Sequence, residues 1–254
     1  MPFYEKGDVR IHYEEAGSGF PVLMTPGGGL NSVMANWKSA TAPFNALTDF
    51  SDEFRIITMD QRNAPSGEST GPIPDDGDGW SGFYEDQIGL MDHLGIRQFA
   101  FLGCCIGGSF VMRMIREVPD RIVAGILCQP IGHRPENPGV MYITGQTGWA
   151  PVMLERHPEV DQRHINRYLR DLYWEIPDLV YSVSRDFITK SQTPILVMPD
   201  DTPAHGLEAA LEVARISPNA EQTIYPWKDT AEQKAQAADH VRRFLRAHIP
   251  ATAK

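Results

Sequence analysis

Short apolar runs alternate with amphipathic stretches along almost the whole chain. Residues 9–15 alternate apolar and polar positions, as an edge strand does. Residues 21–25, 54–59, 99–102, 122–128 and 194–198 are compact apolar runs, the pattern of strands buried on both faces. Residues 82–94, 109–116, 207–216 and 231–248 carry apolar positions at helical spacing, and Gly95 is the stop signal of the first of these helices. Residues 223–225 read as a last short strand. This alternation predicts an α/β fold, a mostly parallel sheet covered by helices on both faces.

The interval 131–191 breaks the rhythm. It is rich in Pro, Trp, Tyr, Arg and His and shows helical patterns without a clear strand, the best of them over 154–174. It predicts a helical cap inserted into a core built from residues 1–130 and 192–254. Caps of this kind shape access to a site and exclude water from it. Trp149 and Trp174 lie in the interval and either line a substrate pocket or pack the cap's own small core.

Composition narrows the classes. The net charge of −10 argues against nucleic acid as a partner. No apolar run approaches the ~20 residues of a membrane span, and the first residues lack a secretory apolar region. Three cysteines, two of them adjacent, make no disulfide framework, so a reducing cytoplasm is the expected location. Neither metal-ligand spacing nor a convincing dinucleotide fingerprint is present, so no cofactor and no metal are expected. The expected partner is a small-molecule substrate, with a homodimer left open.

The chemistry concentrates in Gly103-Cys104-Cys105-Ile106-Gly107-Gly108, set between a buried strand and an amphipathic helix. Gly103 to Gly107 fits the G-x-nucleophile-x-G turn, with Cys105 at its centre. A sharp strand-to-helix turn brings backbone segments together, and a Cβ at either glycine would obstruct it. At a helix N-terminus, unpaired amides and the helix dipole favour a thiolate on Cys105. Cys104 is expected to point into packing, and Cys128 to be an inert core residue.

Four segments in this order resemble the α/β-hydrolase fold superfamily: Thr25-Pro26-Gly27-Gly28-Gly29, Asp60-Gln61-Arg62-Asn63, the Cys105 turn, and the run from Pro194 to Asp201. The Cys105 segment itself is similar to that of dienelactone hydrolases. The resemblance implies an oxyanion hole from the amides of Ile106 and Gly28, with Gly27 as the alternative to Gly28. It implies an acid at Asp201, with Asp200 as the alternative. It also implies a histidine base after the last strand, where the chain instead reads Tyr225-Pro226-Trp227-Lys228-Asp229-Thr230. His205 and His133, both on loops following strands, are the candidate replacements.

The expected function is a cysteine-nucleophile hydrolase of a small ester, lactone or thioester working through an acyl-enzyme. The catalytic set is Cys105, His205 and Asp201, with Trp149, Trp174 and His133 toward the substrate. The missing histidine keeps two alternatives open. One is a non-hydrolytic enzyme of the same fold, such as a lyase, acyltransferase or cofactor-free oxygenase; the other is a small-molecule binding protein on a degenerate scaffold.

Overall fold

The computed structural model describes residues 2–75 and 77–250. Eight strands form one sheet: β1 (Phe3–Lys6), β2 (Val9–Ala16), β3 (Pro21–Thr25), β4 (Arg55–Met59), β5 (Phe99–Cys104), β6 (Ile122–Cys128), β7 (Ile195–Met198) and β8 (Ala220–Gln222). Their order is β1-β2-β4-β3-β5-β6-β7-β8, with the β1–β2 and β2–β4 pairings antiparallel and the remaining five parallel. Residues 9–15 are therefore not an edge strand, because Phe3–Lys6 supplies the edge and β2 pairs on both sides. The last strand falls at Ala220–Gln222 rather than at 223–225, since Asn219 rather than a later residue offers its carbonyl to Ile195 at 3.1 Å.

Nine helices accompany the sheet among the described residues: α1 (Ala46–Asp49), α2 (Ser81–His93), α3 (Ile106–Glu117), α4 (Val140–Thr144), α5 (Ala150–Arg156), α6 (Gln162–Tyr173), α7 (Arg185–Lys190), α8 (Leu207–Ile216) and α9 (Ala231–His248). Strand side chains alternate between two faces. On β5, Phe99 and Phe101 join the core beneath α2, α3 and α8, while Ala100, Leu102 and Cys104 join the core beneath α1 and α9. Ile195 and Val197 on β7 divide from Leu196 and Met198 in the same way. Burial on both faces explains why these strands read as continuous apolar runs. A capping box, with Thr230 and Gln233 satisfying each other's backbone N–H groups, starts α9.

The sharpest local feature is the turn from β5 into α3. Cys105 sits there with φ 58° and ψ −114°, outside the regions that non-glycine residues favour. The two flanking glycines are required by contact. A Cβ on Gly103 would lie 2.0 Å from the Gly107 carbonyl oxygen, and one on Gly107 would lie 2.5 Å from Thr25 Oγ1. The turn is tied to β6 through Cys105 N–H donating to the Cys128 carbonyl at 3.0 Å and Ile131 N–H donating to the Cys105 carbonyl at 3.0 Å.

Residues 131–191 carry α4 to α7 and no strand among the described residues. Residues 154–174 are two helices rather than one, because Pro158 falls in the break between α5 and α6. The segment lies over the carboxyl end of the sheet. Trp149 Nε1 donates to the Asn63 carbonyl at 2.9 Å, Trp80 Nε1 to Leu172 at 3.0 Å, and Ser109 Oγ to Val180 at 2.6 Å. No helix of the described residues is long and apolar enough to cross a membrane.

The glycine contacts give the first prediction. Gly103→Ala should destabilise the chain by about 3 kcal/mol or more, because backbone must move to admit the methyl group. Gly148→Ala, whose added Cβ meets nothing within 4 Å, should change stability by less than about 1 kcal/mol. Urea titration of the two variants against the parent reads the difference.

Candidate active site

Cys105 stands at the floor of a cleft of about 530 Å³. Gly27, Gly28, Asn31, Asn36 and Trp37 belong to one wall, and Gln129, Asp200, Thr202, His205 and Lys228 to the other. The carboxyl ends of β3, β6 and β7 deliver these loops, so the sheet decides which residues meet. Cys105 is 8 % exposed, whereas Cys104 and Cys128 are fully buried register partners on β5 and β6. All three are free thiols.

The structure brings His205 and Asp200 to Cys105. His205 Nδ1 lies 2.8 Å from Asp200 Oδ2. The short loop between them is closed by Thr202, whose Oγ1 accepts from the His205 N–H at 3.1 Å. With Nδ1 committed to Asp200, Nε2 is the nitrogen left to face the thiol. Burial alone pushes the Cys105 thiol up, but the His205 hydrogen bond and charge, with the Gly28 and Gly29 amides, outweigh it and hold the thiol below its ordinary value. Burial lowers His205, yet the hydrogen bonds to Asp200 and Cys105 dominate and raise it to about 9. Burial likewise raises Asp200, while His205 and Lys228 together bring it down to about 2. Both shifts run in the direction of an ion pair, toward a thiolate on Cys105 and a proton on the imidazole. Cys104 is the opposite case: burial against apolar neighbours and the Cys128 thiol pushes it well above the ordinary range.

The glycine loop passes close to this thiol. A Cβ on Gly27 would lie 3.2 Å from the Cys105 Cβ. Gly28 adopts φ 129°, and a Cβ there would meet the Asn31 carbonyl oxygen and Asn36 Nδ2, each at 2.6 Å. Asn36 Nδ2 locks the loop by donating to the carbonyls of Gly27 at 2.7 Å and Asn31 at 2.9 Å. Ile106 is the first residue of α3, so its amide is one of those that a helix start leaves unpaired.

Other expected residues lie elsewhere. Asp201 does not join His205; its Oδ1 accepts from Arg134 Nη1 at 2.9 Å, because successive loop residues face opposite ways and only Asp200 turns inward. His133 is held by its backbone N–H on the Leu179 carbonyl at 2.8 Å, with its ring against Tyr181 and away from the cleft lining. Trp149 is buried beside a separate, water-sized cavity with Arg62 and Tyr168. Trp174 ends α6 and is 41 % exposed. Indeed no residue of 131–191 is among those lining the cleft. That segment approaches from the other side, where burial first, and then Tyr168 and Cys105, push the Tyr173 phenol up.

The parts played by Lys228, Gln129, Asn36, Gly29 and Tyr173 escaped the sequence reading. Gly29 stood there within the glycine run after β3, and Lys228 in the stretch after the last strand where a histidine was expected. No group of three or more His, Cys, Asp or Glu is arranged to hold a metal ion among the described residues.

Limiting iodoacetamide should label Cys105 alone, as peptide mass mapping would show. Its rate should persist well below the ordinary thiol pKa and fall by about tenfold or more at neutral pH in His205→Ala. Stability carries a second signature. His205, at about 9 folded against 6.5 unfolded, contributes fully below pH 6.5 and loses that contribution as pH rises through about 9. Asp200, at about 2 against 3.8, contributes above pH 3.8 and loses its share as pH falls through about 2. The melting-temperature advantage of the parent over Asp200→Asn should therefore peak between these limits and shrink on the alkaline side.

Known proteins share this architecture. A relative 30 % identical over 148 residues, 58 % of this chain, is the 2-hydroxy-6-oxo-6-phenylhexa-2,4-dienoate hydrolase of Comamonas testosteroni; the match spans 46 % of that protein's length. The enol-lactonase from Burkholderia xenovorans superposes with a TM-score of 0.66 at 19 % identity, covering 96 % of this chain and all of that one. A thermophilic esterase from Thermogutta terrifontis superposes with a TM-score of 0.63 at 23 % identity, covering 95 % of each chain. The sequence pattern of the alpha/beta hydrolase fold family matches residues 21–167. With that match running from the start of β3 into α6, more than half of the chain, the protein belongs to the α/β hydrolase fold family.

Proposed function

We propose that this enzyme hydrolyses a small ester, lactone or thioester through a thioester acyl-enzyme on Cys105. The observation that carries the reading is the Cys105–His205–Asp200 array at the floor of an open cleft. The Cys105 thiolate attacks the substrate carbonyl carbon, forming the C–S bond as the carbonyl π pair moves to oxygen. Amides of Gly28 and Ile106 receive that oxyanion; one such donor is worth about 3 kcal/mol in other hydrolases. Collapse breaks the acyl–oxygen or acyl–sulfur bond, and His205 Nε2 passes its proton to the leaving atom. The now neutral imidazole takes a proton from water, the hydroxide attacks the acyl carbon, and Cys105 leaves as thiolate. Asp200 holds the ring through Nδ1 in both halves.

The enol-lactonase and esterase neighbours are named for cleavage of acyl–oxygen bonds, which supports this substrate class. The cleft supports a polar acyl substrate, since Asn31, Asn36, Thr202, Gln129 and Lys228 line it beside Trp37. We further propose residues 131–191 as a cap that closes the protein-filled side of Cys105 through Tyr173 and the Ser109–Val180 hydrogen bond, leaving approach along the 27–43 loop.

With para-nitrophenyl acetate, the parent should show a burst of nitrophenolate and an acetylated Cys105 by intact mass. Cys105→Ala should abolish both, and His205→Ala should lower turnover by about 100-fold or more. Asp200→Asn should impair turnover far more than Asp201→Asn. Turnover that survives Cys105→Ala, or a parent that binds the ester without cleaving it, would overturn the reading in favour of a non-hydrolytic catalyst or a binding protein.

A further inference from the structure

The acyl-transfer scheme leaves Lys228 unused, yet Lys228 is fixed in the cleft. It comes from the connection between β8 and α9. Its Nζ donates to Asp200 Oδ2 at 2.7 Å and to Gln129 Oε1 at 2.8 Å. His205 Nδ1 lies 2.8 Å from that same Oδ2. One carboxylate oxygen therefore serves two cationic donors. The side chains of His205, Asp200 and Lys228 are 12 %, 8 % and 27 % exposed, so water screens them weakly. Both neighbours of the lysine are pinned. Trp227, fully buried, donates from Nε1 to the Pro199 carbonyl at 2.7 Å, which joins the lysine's loop to the Asp200 loop. Gln129 holds a positive φ of 42°, with its N–H on the Met198 carbonyl at 2.8 Å.

We propose that Lys228 is a positioning residue of this site, sharing Asp200 Oδ2 with His205 so that the carboxylate orients the imidazole without holding its proton too firmly. The proposal rests on the reading of Cys105 as nucleophile and His205 as base. The two halves of that reaction ask opposite things of His205. Attack and leaving-group protonation need an imidazolium, which the thiolate itself favours. Deacylation needs a neutral imidazole, and in the acyl-enzyme the thiolate charge is gone. Asp200 is then the anion left against the ring. A second cation on Oδ2 offsets its pull and lets His205 accept the proton from water.

The charged surroundings leave this balance to Lys228. Cys105 faces His205 from the elbow and Asp200 from its own loop. Asp201 and Glu136 are both paired with Arg134. Asp229 adjoins Lys228 in sequence, and Tyr173 and Tyr225 are phenols raised by burial, and so neutral.

Lys228→Met and Lys228→Arg, each made also in a Cys105→Ala chain, test the proposal. NMR titration of His205 in the Cys105→Ala background reads the ring against Asp200 and Lys228 alone, without any turnover. Lys228→Met should raise the His205 midpoint by about one pH unit, a tenfold gain in proton affinity, and Lys228→Arg should hold it near the parent value. With Cys105 present and para-nitrophenyl acetate as substrate, the acid limb of the deacylation rate should move up by the same amount. Neutral-pH deacylation should then slow by about tenfold and recover on the alkaline side. An unchanged or lowered His205 midpoint in Lys228→Met, in a chain that melts like the parent, overturns the proposal, since a mere structural pin would loosen Asp200 from the ring. An upward shift in a chain that never acylates Cys105 would sustain the coupling and overturn the nucleophile reading instead.

Discussion

Everything at this site depends on one strained backbone turn. Cys105 is held at φ 58° between β5 and α3, in a region that costs a non-glycine residue on the order of 1–3 kcal/mol. The close passage of Gly103 against Gly107 and of Gly107 against Thr25 makes the turn geometrically feasible. Hydrogen bonds to Cys128 and Ile131 hold it from the side. The turn lifts the Cys105 side chain off the sheet while its neighbour Cys104 drops into the core beneath α1 and α9. Two adjacent thiols thus receive opposite environments, one beside the His205 imidazole and glycine amides, the other among apolar side chains beside a second thiol.

A row of partly buried charges extends from that turn. Beyond Cys105, the Asp200 carboxylate alternates with two basic side chains, His205 and Lys228, and the row ends on the neutral Gln129 amide. Alternation matters because each isolated charge would be costly at this depth. Three loops supply the row: the β5–α3 elbow, the loop after β7 and the β8–α9 connection. Parallel strands place all three at the same edge of the sheet. The buried Arg62–Asp86 pair shows the other use of charge in this fold. It links the β4 exit to α2 away from the cleft lining. There burial keeps Asp86 at about 6 despite the guanidinium.

Segment 131–191 and the 27–43 loop divide the labour around Cys105. The first packs tightly through Trp149, Leu172 and Val180 and fills the space on its side with aromatic side chains. The second leaves the opening. An inserted helical segment therefore need not line the mouth of the cleft it adjoins.

The fold was legible in the sequence because doubly buried strands leave unbroken apolar runs and surface helices leave a 3.6-residue rhythm. The elbow was legible because its steric demand can be met only with glycines at fixed offsets around Cys105. Edge β1 was not, since a four-residue strand carries too little pattern, and the break at Pro158 was hidden within a longer helical rhythm. Side-chain direction was the main gap. Asp200 and Asp201 are equivalent in sequence, and only the path of the loop beyond β7 turns the first toward His205 and the second toward Arg134. Lys228 meets Asp200 across 28 residues and Gln129 across 99, a convergence that local pattern does not encode. The sequence determined which chemical groups the chain carries at the ends of its strands. Tertiary packing decided which of them share an oxygen, because that depends on strand order and loop path rather than on spacing along the chain.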